Sequence, residues 1–85
     1  MEIKPSPHFV QDYKNLPPLL RKRTDEKLKL LLNNPQHPSL GLKKMKGFPD
    51  IWEVRITKNY RITFQIREKI YILRRIGTHD ILKQP

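Results

Sequence analysis

Cysteine is absent from this 85-residue chain, which excludes a disulfide framework and any thiolate metal site. Long apolar runs are absent too. None approaches the roughly 20 residues that span a bilayer, and Met1-Glu2-Ile3-Lys4-Pro5 lacks the apolar stretch of a signal peptide. Acidic residues are scarce: eight stand against 18 Lys and Arg, for a formal net charge of +10 at pH 7. These absences predict one small domain over residues 1–85, held by packing alone, in a soluble cytoplasmic protein. No pair of histidines has metal-ligand spacing, and no metal or other cofactor is expected.

The positive charge is distributed unevenly. Residues 43–85 carry 11 basic and 4 acidic groups, a net of +7, against +3 for residues 1–42. A field of that sign favours nucleic acid, an anionic membrane or an acidic protein partner, and its asymmetry argues against a role in solubility alone. A membrane surface fits poorly, because the longer predicted helix mixes acids with its bases.

Residues 1–5 read as a short edge strand that Pro5 ends. Ser6-Pro7 then supplies an N-cap and a proline at the first helical position, and Phe9, Tyr13 and Leu16 follow at helical spacing. Pro17-Pro18 breaks this helix and opens a second. Leu20, Thr24, Leu28 and Leu31 line one face of it, Leu19, Leu30 and Leu32 widen the stripe, and Arg21, Lys22, Asp25, Glu26 and Lys29 form the wet side. Asn33-Asn34-Pro35 stops the helix, and Pro35 to Gly41 reads as a connecting loop. His37 in that loop and His8 in the first helix are expected to be functionally neutral.

From residue 42 the hydrophobic period changes to two. Trp52, Val54 and Ile56 alternate with Glu53, Arg55 and Thr57, and Tyr60, Ile62, Phe64 and Ile66 alternate with Arg61, Thr63 and Gln65. Both apolar faces must share one side of the sheet. A three-residue loop Thr57-Lys58-Asn59 achieves this by pairing Arg55 with Arg61, whereas a two-residue loop buries a charge. The same reasoning around Arg67-Glu68-Lys69 pairs Ile66 with Ile70 and sets Arg61 opposite Arg75. Three arginines then lie in a row, and like charges opposite one another repel unless Glu53 and an acidic partner neutralise them or they hold phosphate. The segment Ile70-Tyr71-Ile72-Leu73, apolar on both faces, is expected inside the sheet, with Tyr71 and Leu73 flooring the groove that carries the arginines. The predicted fold is α+β, with two N-terminal helices packed on a small antiparallel β-meander and an N-terminal edge strand.

Arg74-Arg75-Ile76-Gly77-Thr78-His79-Asp80 then sets two arginines, a glycine turn and a histidine side by side at the end of a strand. Histidine is the side chain that exchanges a proton near neutral pH, and arginine holds phosphate. In RNA cleavage the ribose 2′-OH attacks the adjacent phosphorus, charge builds on the non-bridging oxygens, and the departing 5′-oxygen takes a proton. Arg61 and Arg55 are suited to stabilise that charge and His79 to supply the proton. Trp52 and Tyr60 fall on the apolar face, and Tyr60, bordering the loop, is the better placed of the two to meet a base.

Four stretches carry a resemblance through their order and spacing: Leu42-Lys43-Lys44-Met45-Lys46-Gly47, Trp52-Glu53-Val54-Arg55-Ile56, Asn59-Tyr60-Arg61-Ile62 and Ile76-Gly77-Thr78-His79. With helix, helix and meander, the chain resembles the RelE/ParE superfamily of type II toxin–antitoxin toxins over nearly its whole length. More narrowly, it is similar to the RelE/YafQ-like branch of ribosome-dependent mRNA interferases. That resemblance implies a metal-independent endoribonuclease that cuts mRNA in the ribosomal A site and is held inactive by a cognate, acidic antitoxin. It also implies that Arg61 contacts the scissile phosphate, that Lys44 and Lys46 are the basic positions before the meander, and that His79 stands where one branch has histidine and another arginine. Lys43, Tyr60, Arg75 and Asp80 are the further residues expected to contact RNA. Arg55 replaces a histidine of the YafQ-like branch, which leaves the general base open between Lys46, Glu53 and no single strong base. A non-catalytic basic binding module, including a ParE-like gyrase inhibitor, is the alternative reading.

Overall fold

Ser6 is where the chain turns from strand to helix, and it serves both. Its N–H donates to the Leu73 carbonyl at 2.9 Å, which continues the pairing of β1 (Glu2–Pro5), and its Oγ accepts the Phe9 N–H at 3.2 Å as the cap of α1 (Pro7–Lys14). A serine cap followed by proline satisfies one free helical donor and removes another. Proline also opens α2 (Pro18–Asn33), a helix without a side-chain cap. The computed structural model describes residues 1–85. After a 3₁₀ turn at Pro38–Leu40, β2 (Lys43–Lys44), β3 (Trp52–Arg55), β4 (Tyr60–Arg67) and β5 (Ile70–Thr78) follow, and a 3₁₀ segment at His79–Lys83 ends the ordered elements. His37 caps the first of these turns, its Nδ1 accepting the Ser39 N–H at 3.1 Å.

Two helices pack on one five-stranded sheet of order β1-β5-β4-β3-β2. The sheet is mixed, because the edge strand β1 runs parallel to β5 while every other pair is antiparallel. Phe9, Leu16 and Leu31 from the helical half meet Val54, Ile56, Ile62, Phe64, Tyr71, Leu73 and Ile76 from the sheet in one core. Phe64 and Tyr71 meet edge to face at 5.4 Å between ring centroids. Along α2 the buried stripe is narrower than its leucine content implies. Thr24 and Leu31 are fully buried and Leu20, Leu28 and Leu30 pack on the core, but Leu19 and Leu32, near the two ends of the helix, are exposed.

The β3–β4 pairing follows the alternation, with Arg55 opposite Arg61 and the Ile56 N–H donating to the Tyr60 carbonyl at 3.0 Å. The β4–β5 pairing does not follow it. Arg67 pairs with Ile70 across a two-residue turn at Glu68-Lys69, Glu68 taking the left-handed conformation at φ +54°, and a bulge at Arg74 shifts the register between Thr63 and Phe64. Arg61 therefore opposes Gly77, and Arg75 opposes Thr63, so the row of three arginines does not exist. The reason lies in the core. With Ile66 opposite Ile70, Arg74 would face Ile62 on the apolar side, whereas the bulge ejects Arg74 and brings Ile76 to Ile62. Tyr71 and Leu73 likewise belong to the helix-covered core and not to a groove floor.

Burial pushes the Tyr71 phenol up from its usual 10.0, and the Tyr13 phenol is raised chiefly by its hydrogen bond to Asp25. A raised folded pKa means that the folded state holds its proton more tightly than the unfolded chain. The associated stability is present below about pH 10 and is lost as pH rises through that range. Tyr71→Phe removes one such group, so the alkaline unfolding midpoint, followed by circular dichroism, is expected to move to higher pH. An unchanged midpoint would assign the alkaline loss to other groups.

Candidate functional site

Alternation along the strands places Glu53 and Arg55 of β3, Arg61 and Thr63 of β4 and Gly77 of β5 on the sheet face turned away from the helices. Lys43 joins them from β2, opposite Glu53. Glu53 is buried and lies between two cations, its Oε1 being 3.7 Å from Lys43 Nζ and 3.9 Å from Arg61 Nε. That carboxylate is the local counter-ion that lets Arg55 and Arg61 stand side by side.

Arg61 is more constrained than a surface strand position implies. Its side chain is 12% exposed, and Nη1 donates to the carbonyls of Thr57, Lys58 and Tyr60 at 2.9, 3.1 and 3.1 Å. The guanidinium thus ties down the β3–β4 loop. Arg55, directly opposite, is exposed and keeps its guanidinium free.

His79 and Asp80 are exposed at the start of the C-terminal 3₁₀ segment, one step beyond the Tyr60–Thr78 pair and two beyond the Arg61–Gly77 pair. The sheet thus brings His79 to the end that carries Arg55 and Arg61. The segment then folds back over β4 and β5, burying Ile81, and Arg74 Nε donates to the Pro85 carbonyl at 2.9 Å.

Other residues singled out in the sequence fall elsewhere. Lys44 lies on the opposite side of β2 from Lys43, its Nζ 5.9 Å from the centre of the Trp52 ring. Tyr60 is half-buried on the helix side, and Lys46 is exposed in the loop before β3. Arg75 is bound to α1: its Nε and Nη2 donate to the two oxygens of Asp12 at 2.7 and 3.2 Å, and this hydrogen bonding raises its pKa above the ordinary arginine value. The same carboxylate accepts the Ile76 N–H at 3.1 Å.

A family model described as the ParE toxin of type II toxin–antitoxin systems matches residues 3–82. The chain belongs to the ParE toxin family. A sequence comparison with curated proteins returns no match. Among solved structures, the toxin is similar to a chain of the RelB–RelE antitoxin–toxin complex from Methanococcus jannaschii, with 26% identity, 94% of each chain covered and a TM-score of 0.76. It shares 19% identity with YafQ from Escherichia coli, again over 94% of each chain, with a TM-score of 0.73. The YoeB/ParE toxin from Agrobacterium tumefaciens shares 14% identity over 93% of this chain and 99% of the other, with a TM-score of 0.77. The protein is therefore a type II toxin of the RelE/ParE superfamily.

A groove of about 710 Å³ is lined by Phe48, Ile51, Gln65, Ile72, Arg74 and Lys83 among others, and it includes none of Glu53, Arg55, Arg61 and His79. Of the residues expected to cleave or bind RNA, only Arg75 lines it; His8 lines it as well. The sequence holds no signal for this groove, because the bulge that turns Arg74 outward is invisible to a period-two pattern. No helix of the toxin is long and apolar enough to cross a membrane.

Arg61→Ala is expected to lower unfolding free energy by about 1–3 kcal/mol, since it removes charge-assisted bonds to the loop and leaves buried Glu53 with a single cation. Urea denaturation measures the loss. A variant as stable as the parent would show that the loop does not depend on the guanidinium.

Proposed function

We propose that this toxin cleaves mRNA on the ribosome and is neutralised by an acidic antitoxin. The observation that carries this reading is the exposed His79 at the strand end beside the Arg55–Arg61 pair. In this reading Arg55 meets the scissile phosphate, Arg61 holds the loop and contributes field, and His79 protonates the departing 5′-oxygen. Lys43 and Lys46 add attraction for the RNA backbone, with Asp80 beside the histidine. Glu53, enclosed by cations, serves as counter-ion and is poorly placed to abstract a proton, which leaves Lys46 or the ribosome's own groups near the 2′-OH. A site with so few free groups is helped by a second surface that orients the strand, and this favours the ribosome over free mRNA.

Two observations favour a second reading. Nη1 of Arg61 is already spent on three carbonyls, and the matching family model is that of ParE, so a non-catalytic grip on a partner such as gyrase is the competing function. The two readings part at His79. His79→Ala is expected to abolish growth arrest and to remove the new mRNA ends that appear when ribosomes are engaged, while leaving stability within about 0.5 kcal/mol, as is usual for an exposed position. Undiminished arrest at equal expression would exclude the catalytic role and favour the binder.

Antitoxin complexes have been solved for relatives, including RelB–RelE from Methanococcus jannaschii and DinJ–YafQ from Escherichia coli. By the same logic, a net +10 chain with Arg55 and Lys43 exposed on that sheet face should capture an acidic segment by electrostatic steering. Arg55→Glu is expected to slow antitoxin association severalfold and to flatten its dependence on ionic strength, as read by stopped-flow mixing. Unchanged rates would place the antitoxin on the helical side.

A further inference from the structure

Gly77 poses a question that backbone geometry does not answer. Of the three glycines, Gly41 and Gly47 have positive φ, whereas Gly77 lies in regular β5, paired with Arg61, where any residue fits the backbone. Glycine in a strand interior weakens it, so its presence calls for close approach by another group. That group is Ile81. A Cβ built on Gly77 would lie 2.8 Å from Ile81 Cγ2, well inside van der Waals contact. Ile81 is the buried residue of the 3₁₀ segment, at 9% exposure, and its β-branched side chain has little freedom to turn aside.

We propose that Gly77 forms a seat for Ile81, and that the two are positioning residues for His79. This inference rests on the catalytic reading given above. Ile81 follows His79 by two residues within the same turn, so the seat fixes the backbone from which the exposed imidazole projects. Thr78, the N-cap, adds no side-chain bond to the turn. At its far end the chain is held by the Arg74–Pro85 bond. The turn is thus clamped at two points, and the clamp nearer His79 is a packing contact only glycine allows. A Cβ at position 77 would lift Ile81 and displace His79 relative to the Arg55–Arg61 pair, and a misplacement of about 1 Å costs up to about 10²-fold in rate.

The test uses the full chain and three variants: Gly77→Ala, Ile81→Ala, and the two combined, in which the added methyl partly fills the space left by Ile81. With programmed ribosomes, each single variant is expected to lose about 10–100-fold in kcat with KM within about twofold, and the double variant to recover most of the Gly77→Ala loss. The His79 ring resonances in the NMR spectrum should shift in both single variants and return toward the parent position in the double. Because that spectrum needs no substrate, it tests the seat even if His79→Ala shows that the histidine has no catalytic role. Should Gly77→Ala fail to fold, Ile81→Ala on the outer sheet face carries the same two readouts. Unmoved His79 resonances in the single variants, a change in KM alone, or no recovery in the double variant would each overturn the proposal.

Discussion

The bulge at Arg74 is the constraint from which the rest of the sheet follows. Before it, Tyr71 and Leu73 face the helices, and after it the inward position passes to Ile76. A bulge changes strand parity by one, which lets two arginines in succession avoid the core without interrupting its apolar face. Beyond Pro5, where β1 has ended, Asp12 of α1 supplies what a further strand would have supplied, accepting the Ile76 N–H and binding Arg75 through both oxygens. Helix and sheet are joined at that point by a charged clamp between residues 63 positions apart. The position of Gly77 opposite Arg61, and of His79 beyond it, depends on the same shift.

Local pairing of charge offsets part of the self-repulsion of so basic a chain. Its acids are few but each of the central ones is shared. Asp12 serves Arg75 and a backbone donor, and Glu53 serves Lys43 and Arg61. Burying a carboxylate such as Glu53 costs several kcal/mol unless opposite charge surrounds it, so the arginine pair and the acid need one another. The fold commits its two central acidic groups in this way, and the net charge left over is positive.

The helices, their proline and serine boundaries, the three-residue β3–β4 loop and the Arg55–Arg61 pairing were all legible in the sequence, because each rests on a local rule of period or capping. The β4–β5 register was not legible. Alternation applied to Arg67-Glu68-Lys69 favours a three-residue loop, yet the chain uses two residues and compensates at Arg74, further along β5, a trade visible only when Ile62 must choose between Arg74 and Ile76. Arg75 shows the same limit at the site. It reads as a phosphate ligand beside His79, but its partner, Asp12, is distant in sequence and marked by no local pattern. Arg61 reads as a free surface cation, and the three carbonyls it caps become neighbours only once the loop has closed.

Scaffold roles also narrow where chemistry can reside. Arg75 is committed to Asp12, Arg61 to the loop, Glu53 to two cations and Lys44 to the Trp52 ring. Of the residues picked out from the sequence, Arg55, Lys46, His79 and Asp80 remain exposed and without a bonded partner. A shared fold does not carry a shared activity, so function has to be argued from such uncommitted positions. Two of the four, His79 and Asp80, lie in the short segment after Thr78, and Arg55 stands on the same sheet face two strands from β5, so under the catalytic reading proposed above it is this end of the sheet that has to supply the chemistry.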